Sequence, residues 1–330
     1  MTSIIDGSLP ETTTRDANEG QSGAAAAPVS AESEFLRTLY QEWTERIIAD
    51  PDMDLATLRD LFDRWQVPTR EPSDVTYREV DANGIPALWI LPQGAATDRA
   101  LLFFHGGGFS VGSIDSHRKL AAHLAKAAGV AGLIIDYRLA PEHVFPAAIE
   151  DGVTAFRWLL GQGFAPEHIF TAGDSAGGHL AVSVALSLRD EGLPLPGAII
   201  PMSPWLDMKH EGPTMETNAA TDALVSRALA QGMADRFLGD SGDPTHPLAN
   251  PLHADLTGLP PLYVVAGGAE TLLSDSERLV DRARTSGVDA ELYVSPGMQH
   301  VFTSLAGRAP EADAAIAAAG AWVRPRLGLS

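Results

Sequence analysis

One serine stands where residue types and spacing can do covalent chemistry: Gly173-Asp174-Ser175-Ala176-Gly177. Small residues around a serine are needed where a strand turns sharply into a helix, because larger side chains collide across the turn. The flanks fit that context, with Ile169-Phe170-Thr171-Ala172 reading as a buried strand and His179-Leu180-Ala181-Val182 continuing a helix. At such a turn the helix dipole and its first N–H, that of Ala176, face the serine and favour negative charge. The chemistry on offer is attack by Ser175 on a carbonyl carbon. A plain helix cap would explain a lone serine equally well, so the remaining groups carry the decision.

His105-Gly106-Gly107-Gly108-Phe109 directly follows the apolar run 101–104. Consecutive glycines let backbone N–H groups approach a ligand without obstruction by Cβ. Loops of this composition supply oxyanion-hole donors in lipases and esterases. An ordinary glycine turn is the alternative, and the pairing of loop and serine turn in the expected order argues against it.

The serine needs a base. Of ten histidines, His300 lies in Pro296-Gly297-Met298-Gln299-His300-Val301-Phe302, just after the last expected strand, where it can reach back over the sheet edge. His117, His123 and His179 fall on helical patterns and read as packed or exposed helix residues, and His105 opens the glycine loop. A third group must fix the imidazole tautomer and belongs between serine and histidine in chain order. Glu270 and Asp275 compete in the stretch 267–275. Glu270 lies nearer the strand end, whereas Asp275 falls one turn into the next helix and should point away.

The elements that must position these groups are legible as hydrophobic periodicity. Strand patterns occur at 75–80, 87–91, 101–104, 130–136, 169–172, 198–202, 262–266 and 291–294. From the third onward, helical patterns separate them, at 116–128, 147–160, 176–189 and 272–286. Such alternation implies an α/β fold with a mainly parallel sheet covered on both faces. The first two strands are expected as an antiparallel edge. Helices are also expected from Phe35 to Ile48 and over 55–65, before the sheet, and residues 1–31, rich in Thr, Ser, Gly and Ala, read as a mobile tail. Residues 204–260 interrupt the alternation, with one helix expected at 222–237, and read as an insertion over the mouth of a site. The division expected is a tail at 1–31, lid helices at 32–70 and a catalytic domain at 71–330 that includes the insertion.

Composition sets bounds on function. The net charge of -20, from 23 basic against 43 acidic residues, disfavours nucleic acid and anionic membranes as partners. The absence of cysteine excludes disulfides, thiolate metal sites and a cysteine nucleophile. No segment approaches the ~20 apolar residues of a membrane span. The start Met1-Thr2-Ser3-Ile4-Ile5-Asp6 does not read as a secretory leader, and a cytoplasmic location is expected. The edge strand at 291–294 is a surface on which two copies could pair as a homodimer.

With these residues in hand, the chain resembles the bacterial hormone-sensitive lipase family of α/β-hydrolases over about 75–305. The resemblance rests on 105–109, on Asp136-Tyr137-Arg138-Leu139-Ala140-Pro141-Glu142, on Gly173-Asp174-Ser175-Ala176-Gly177-Gly178, on Ser203-Pro204-Trp205-Leu206-Asp207 and on the loop carrying His300. It implies an eight-stranded, mostly parallel sheet flanked by helices, with a helical lid made from the N-terminal helices and the insertion. No cofactor and no metal are implied. It further implies an oxyanion hole from the N–H groups of Gly107, Gly108 and Ala176, with Gly106 as an alternative to one of them. One departure stands out: the family's acid is usually an aspartate in Asp-x-Leu, and this chain has Glu270-Thr271-Leu272. Aligning on Leu272 favours Glu270 over Asp275.

The function expected is a serine carboxylesterase acting on short to medium acyl esters or lactones, a small-molecule substrate. Phe35, Leu36, Leu39, Trp43 and Trp205 suggest an apolar pocket, although core packing explains them as well. Two other readings compete. A non-catalytic receptor on the same fold is disfavoured by the intact His300 loop, and an amidase or acyltransferase would use the same three groups. The stretch 137–142 is expected to be structural.

Overall fold

The computed structural model describes residues 29–330, so most of the expected tail, residues 1–28, lies outside the described residues. The chain passes through α1 (Ala31–Ala49), α2 (Leu55–Phe62), β1 (Val75–Asp81), β2 (Pro86–Pro92), β3 (Ala96–Phe104), α3 (Ile114–Ala128), β4 (Val130–Ile135) and α4 (Ala147–Gly161). It continues through β5 (Ile169–Asp174), α5 (Ala176–Asp190), β6 (Ala198–Met202), α6 (Thr214–Thr217), α7 (Arg227–Leu238), β7 (Leu262–Gly267), α8 (Leu273–Thr285), β8 (Ala290–Ser295) and α9 (Pro310–Arg326).

The strands form one eight-stranded sheet in the order β1-β2-β4-β3-β5-β6-β7-β8. Strands β3 to β8 pair in parallel. Strand β2 is antiparallel to both β1 and β4, which makes the expected antiparallel edge. Every residue of β4, β5, β6 and β7 is buried, and their sequences are largely apolar because helices cover both faces, with Thr171 and Asp174 of β5 the polar exceptions. The winding reverses at β3, with β4 on one side and β5 on the other. Ligand sites in open α/β sheets lie beyond the carboxyl ends of strands at such a reversal.

Several boundaries differ from the sequence reading, each for a local reason. Helix α3 starts at Ile114 because Ser113 and Ser116 form a reciprocal capping box ahead of it. Helix α7 starts at Arg227 rather than 222 because Ser226 accepts from Leu229 N and caps it. Strand β3 reaches back to Ala96 through the polar residues Thr97-Asp98-Arg99, where the register with β4 shifts. Helix α9 has no counterpart in the sequence reading, since its many alanines give little contrast between faces. Those small side chains allow close packing on α3: at Gly320 an added Cβ would meet Ala127 main chain.

Helices α1 and α2 bury an aromatic cluster. Tyr40, Trp43, Phe62 and Trp65 have ring centroids 5.5 to 5.9 Å apart in tilted or edge-on pairs. The amino end of α1 is tied to α9, with Ser30 N and Oγ each donating to the Glu311 carboxylate at 2.8 Å. Among the described residues no helix is long and apolar enough to cross a membrane.

Candidate active site

Ser175 occupies the turn between β5 and α5 with φ 55° and ψ −118°, a backbone state that side chains rarely adopt. The turn tolerates it because everything around it is small. A Cβ on Gly173 or Gly177 would overlap the Phe104 carbonyl at the end of β3. Neighbouring main chain fixes the turn from the other side, with Ser175 N donating to Met202 O at 2.9 Å and Trp205 N donating to Ser175 O at 3.1 Å.

His300 arrives on the loop after β8. Its Nε2 lies 3.0 Å from Ser175 Oγ, and its Nδ1 lies 2.7 Å from Glu270 Oε2. The carboxylate can only accept, so Nδ1 carries the proton and the Nε2 lone pair faces the hydroxyl. Three elements hold the imidazole loop in place. Tyr40 OH of α1 donates to His300 O at 3.0 Å, Val301 N donates to Ser203 Oγ at 3.0 Å, and the Gln299 amide bonds both Ala223 N and Thr221 O.

Glu270 follows β7 and its second oxygen accepts from Gly267 N at 3.0 Å. Burial raises its pKa, with the bond to His300 opposing that rise. Burial alone would depress His300, but Glu270, joined by the charges of Asp222 and Asp174, lifts it above the ordinary imidazole value. Asp275 sits elsewhere: from α8 it accepts Leu206 N at 2.8 Å and Asp207 N at 3.0 Å, and burial pushes its pKa up to about 7. Of the two competing acids, Glu270 meets the histidine and Asp275 holds the turn after β6.

The glycine loop brings two of its three glycines to the serine. Gly107, at φ 112°, and Gly108, at φ 56°, border the same cavity as Ser175 and His300. Gly106 instead faces the Asp174 carboxylate. Ala176, the first residue of α5, follows Ser175 directly, and its N–H is one of those left without a partner inside the helix. Beneath the loop, the His105 ring stacks on Tyr137 at 4.2 Å, and burial drops its pKa to about 3. His117, read from sequence only as a helix residue, is buried with Nε2 3.1 Å from Asp174 Oδ2. The stretch 137–142 is a fastener: Arg138 pairs with Asp151, and Glu142 binds Arg59 of α2.

The cavity beside Ser175 encloses about 50 Å³ and is apolar. Trp205 borders it as expected. Phe35, Leu36, Leu39 and Trp43 do not; Leu36, Leu39 and Trp43 are buried behind it as the packing of α1, and Phe35 is exposed. Their places are taken by Phe62 and Trp65 on one side and by Leu224, Val225, Leu229, Ala230 and Met233 on the other. Trp65 stands at the end of the second helical pattern, but nothing in the sequence says which aromatic of the cluster faces the serine. No group of three or more His, Cys, Asp or Glu among the described residues is placed to hold a metal ion.

The sequence pattern that defines the alpha/beta hydrolase fold matches residues 101–304. The chain is 40% identical to an acetyl-hydrolase of Streptomyces hygroscopicus over 299 residues, covering 85% of this chain and 99% of that protein. It is 35% identical to an esterase of Acinetobacter venetianus over 74% of this chain and 80% of that protein. Among solved structures, an esterase from the bacterial hormone-sensitive lipase family superposes with a TM-score of 0.86 at 41% identity. That match covers 92% of this chain and 100% of the other.

Proposed function

This chain belongs to the bacterial hormone-sensitive lipase family of α/β-hydrolases and is a carboxylic-ester hydrolase; from that premise we propose that it cleaves acyl esters or lactones through an acyl-serine on Ser175. The observation that carries the reading is the unbroken line from Ser175 Oγ through the His300 ring to Glu270, 3.0 and 2.7 Å at its two joints. In this reading His300 Nε2 takes the hydroxyl proton as Oγ attacks the ester carbonyl. Glu270 holds the imidazole tautomer and stabilises the imidazolium. The tetrahedral oxyanion takes hydrogen bonds from Gly107, Gly108 and Ala176, each contributing about 3 kcal/mol. His300 then gives its proton to the departing alkoxide, and water, deprotonated by the same ring, releases the acid.

Helices α1 and α2 with the segment between β6 and β7 act as one composite lid on this site. The cavity they close favours the short end of the expected acyl range. An engineered cavity of ~150 Å³ accepts benzene, so about 50 Å³ is matched first by an acetyl group. The relatives support that range, since one is an acetyl-hydrolase and a similar solved esterase was soaked with p-nitrophenyl butyrate. A non-catalytic receptor would have no use for a base held against a serine.

The test is hydrolysis of p-nitrophenyl esters from acetate to palmitate by wild type and folded Ser175→Ala. Acetate and butyrate should turn over fastest, and the variant should lose on the order of 10⁶ in kcat. Undiminished turnover by Ser175→Ala, or a preference for palmitate, would contradict the reading.

A further inference from the structure

Residues 218–225, between β6 and β7, touch both loops that carry the acid and the base. Asn218 Nδ2 donates to Glu270 O at 2.9 Å, and Thr221 Oγ1 donates to Ala269 O at 2.9 Å. On the histidine side, Gln299 bonds Ala223 N and Thr221 O at 2.8 and 2.9 Å. Asp222 lies at the centre. Its Oδ1 accepts from Leu224 N and Val225 N, both at 2.9 Å, and its Oδ2 accepts from Thr271 N at 2.7 Å and Thr271 Oγ1 at 3.0 Å. Leu224 and Val225 border the cavity, while Thr271 directly follows Glu270. One carboxylate thus joins the substrate wall to the acid loop.

We propose that Asp222 is a positioning residue that couples the pocket wall to the Glu270–His300 pair, fixing the acid loop through Thr271 and adding negative charge near that pair. The proposal rests on the reading of His300 as base. Four donors hold the carboxylate, so its charge stays at a set place. The charged groups facing His300 are Glu270 after β7, Asp222, and Asp174 at the end of β5, and all three favour the protonated ring. Helix α1 contributes only Tyr40, whose phenol burial keeps neutral. Negative charge there stabilises the imidazolium of the transition state, which helps turnover, while moving the acidic limb of the pH profile upward.

The experiment measures pH profiles of kcat and kcat/KM with p-nitrophenyl acetate, plus Tm, for wild type, Ser175→Ala, Asp222→Asn and Thr271→Val. Asp222→Asn should lose roughly ten- to hundredfold in kcat with KM changed less than about threefold, and its acidic limb should move to lower pH. Thr271→Val keeps the charge, so its limb should stay in place while kcat falls several-fold. A raised KM or a lowered Tm, with kcat unchanged and the limb unmoved, would reduce Asp222 to a structural part and overturn the proposal. Should Asp222→Asn not fold, a folded Thr271→Val with wild-type kcat overturns it and a several-fold loss supports it. An inactive wild type, or an active Ser175→Ala, removes the base reading and this proposal together; a dead Ser175→Ala beside an unaffected Asp222→Asn removes only the proposal.

Discussion

The turn that carries Ser175 and the wall that faces it are built in opposite ways. At the turn, main chain packs on main chain: Gly173 and Gly177 lie against the Phe104 carbonyl, and Gly107 lies against the Val111 carbonyl, with no room for a methyl group. Across the cavity the wall is made of side chains, Phe62 and Trp65 from the α2 region and Leu224 to Met233 from the segment after β6. Backbone geometry can be altered only by rebuilding the turn, whereas a side chain can be exchanged one at a time. In the proposed reading chemistry resides in the part that cannot change gradually, and selectivity in the part that can.

Three substitutions probe that division, in order of falling effect. Replacing Glu270 with Gln leaves the shape but removes the charge that fixes the imidazole tautomer. The expected loss in kcat is about 10³- to 10⁴-fold. The sign of the pH effect follows from Glu270 raising His300. The wild-type acidic limb should therefore lie above the ordinary imidazole value of about 6.5, and in Glu270→Gln it should move down. A limb that stays put would remove Glu270 from the pair. Next, Gly107→Ala forces a Cβ into the Val111 carbonyl at φ 112° and so displaces a proposed oxyanion donor. Single-turnover acylation should slow by roughly 10²- to 10³-fold, with burst kinetics as the measure. Met233→Ala, on the wall, should leave acetate turnover within about twofold and raise octanoate turnover about tenfold. Its side chain packs on Gly108, where an added Cβ would come within 2.8 Å of Met233 Cγ. If Met233→Ala damaged acetate turnover as much as Gly107→Ala does, the two regions would not be separable.

The same contrast explains what could be read in advance. Glycine at 107, 173 and 177 is visible because close main-chain contacts leave only one residue type available. The strands are visible because a sheet buried on both faces demands unbroken apolar runs, and His300 and Glu270 because they follow such runs in order. The wall was misjudged because Trp43 and Trp65 belong to one cluster, with centroids 5.8 Å apart, and periodicity does not tell which ring faces inward. Asp222 was invisible for another reason. Its partners, Thr271, Leu224 and Val225, are ordinary residues brought together only by the path of the segment after β6. Helix α9 escaped notice because alanine suits a tight helix contact and carries no pattern.

The bond between Ser30 and Glu311 spans 281 residues of sequence. The helix that carries Tyr40 to the His300 carbonyl is among the first described elements to be synthesised, and the helix that secures its amino end is the last. At roughly 5–20 residues per second, α1 waits on the order of 14 to 56 s for that anchor. A nascent chain can complete its sheet during that interval, but it cannot yet dock the amino end of α1 on α9. The finished enclosure around the serine is thereby tied to the synthesis of α9.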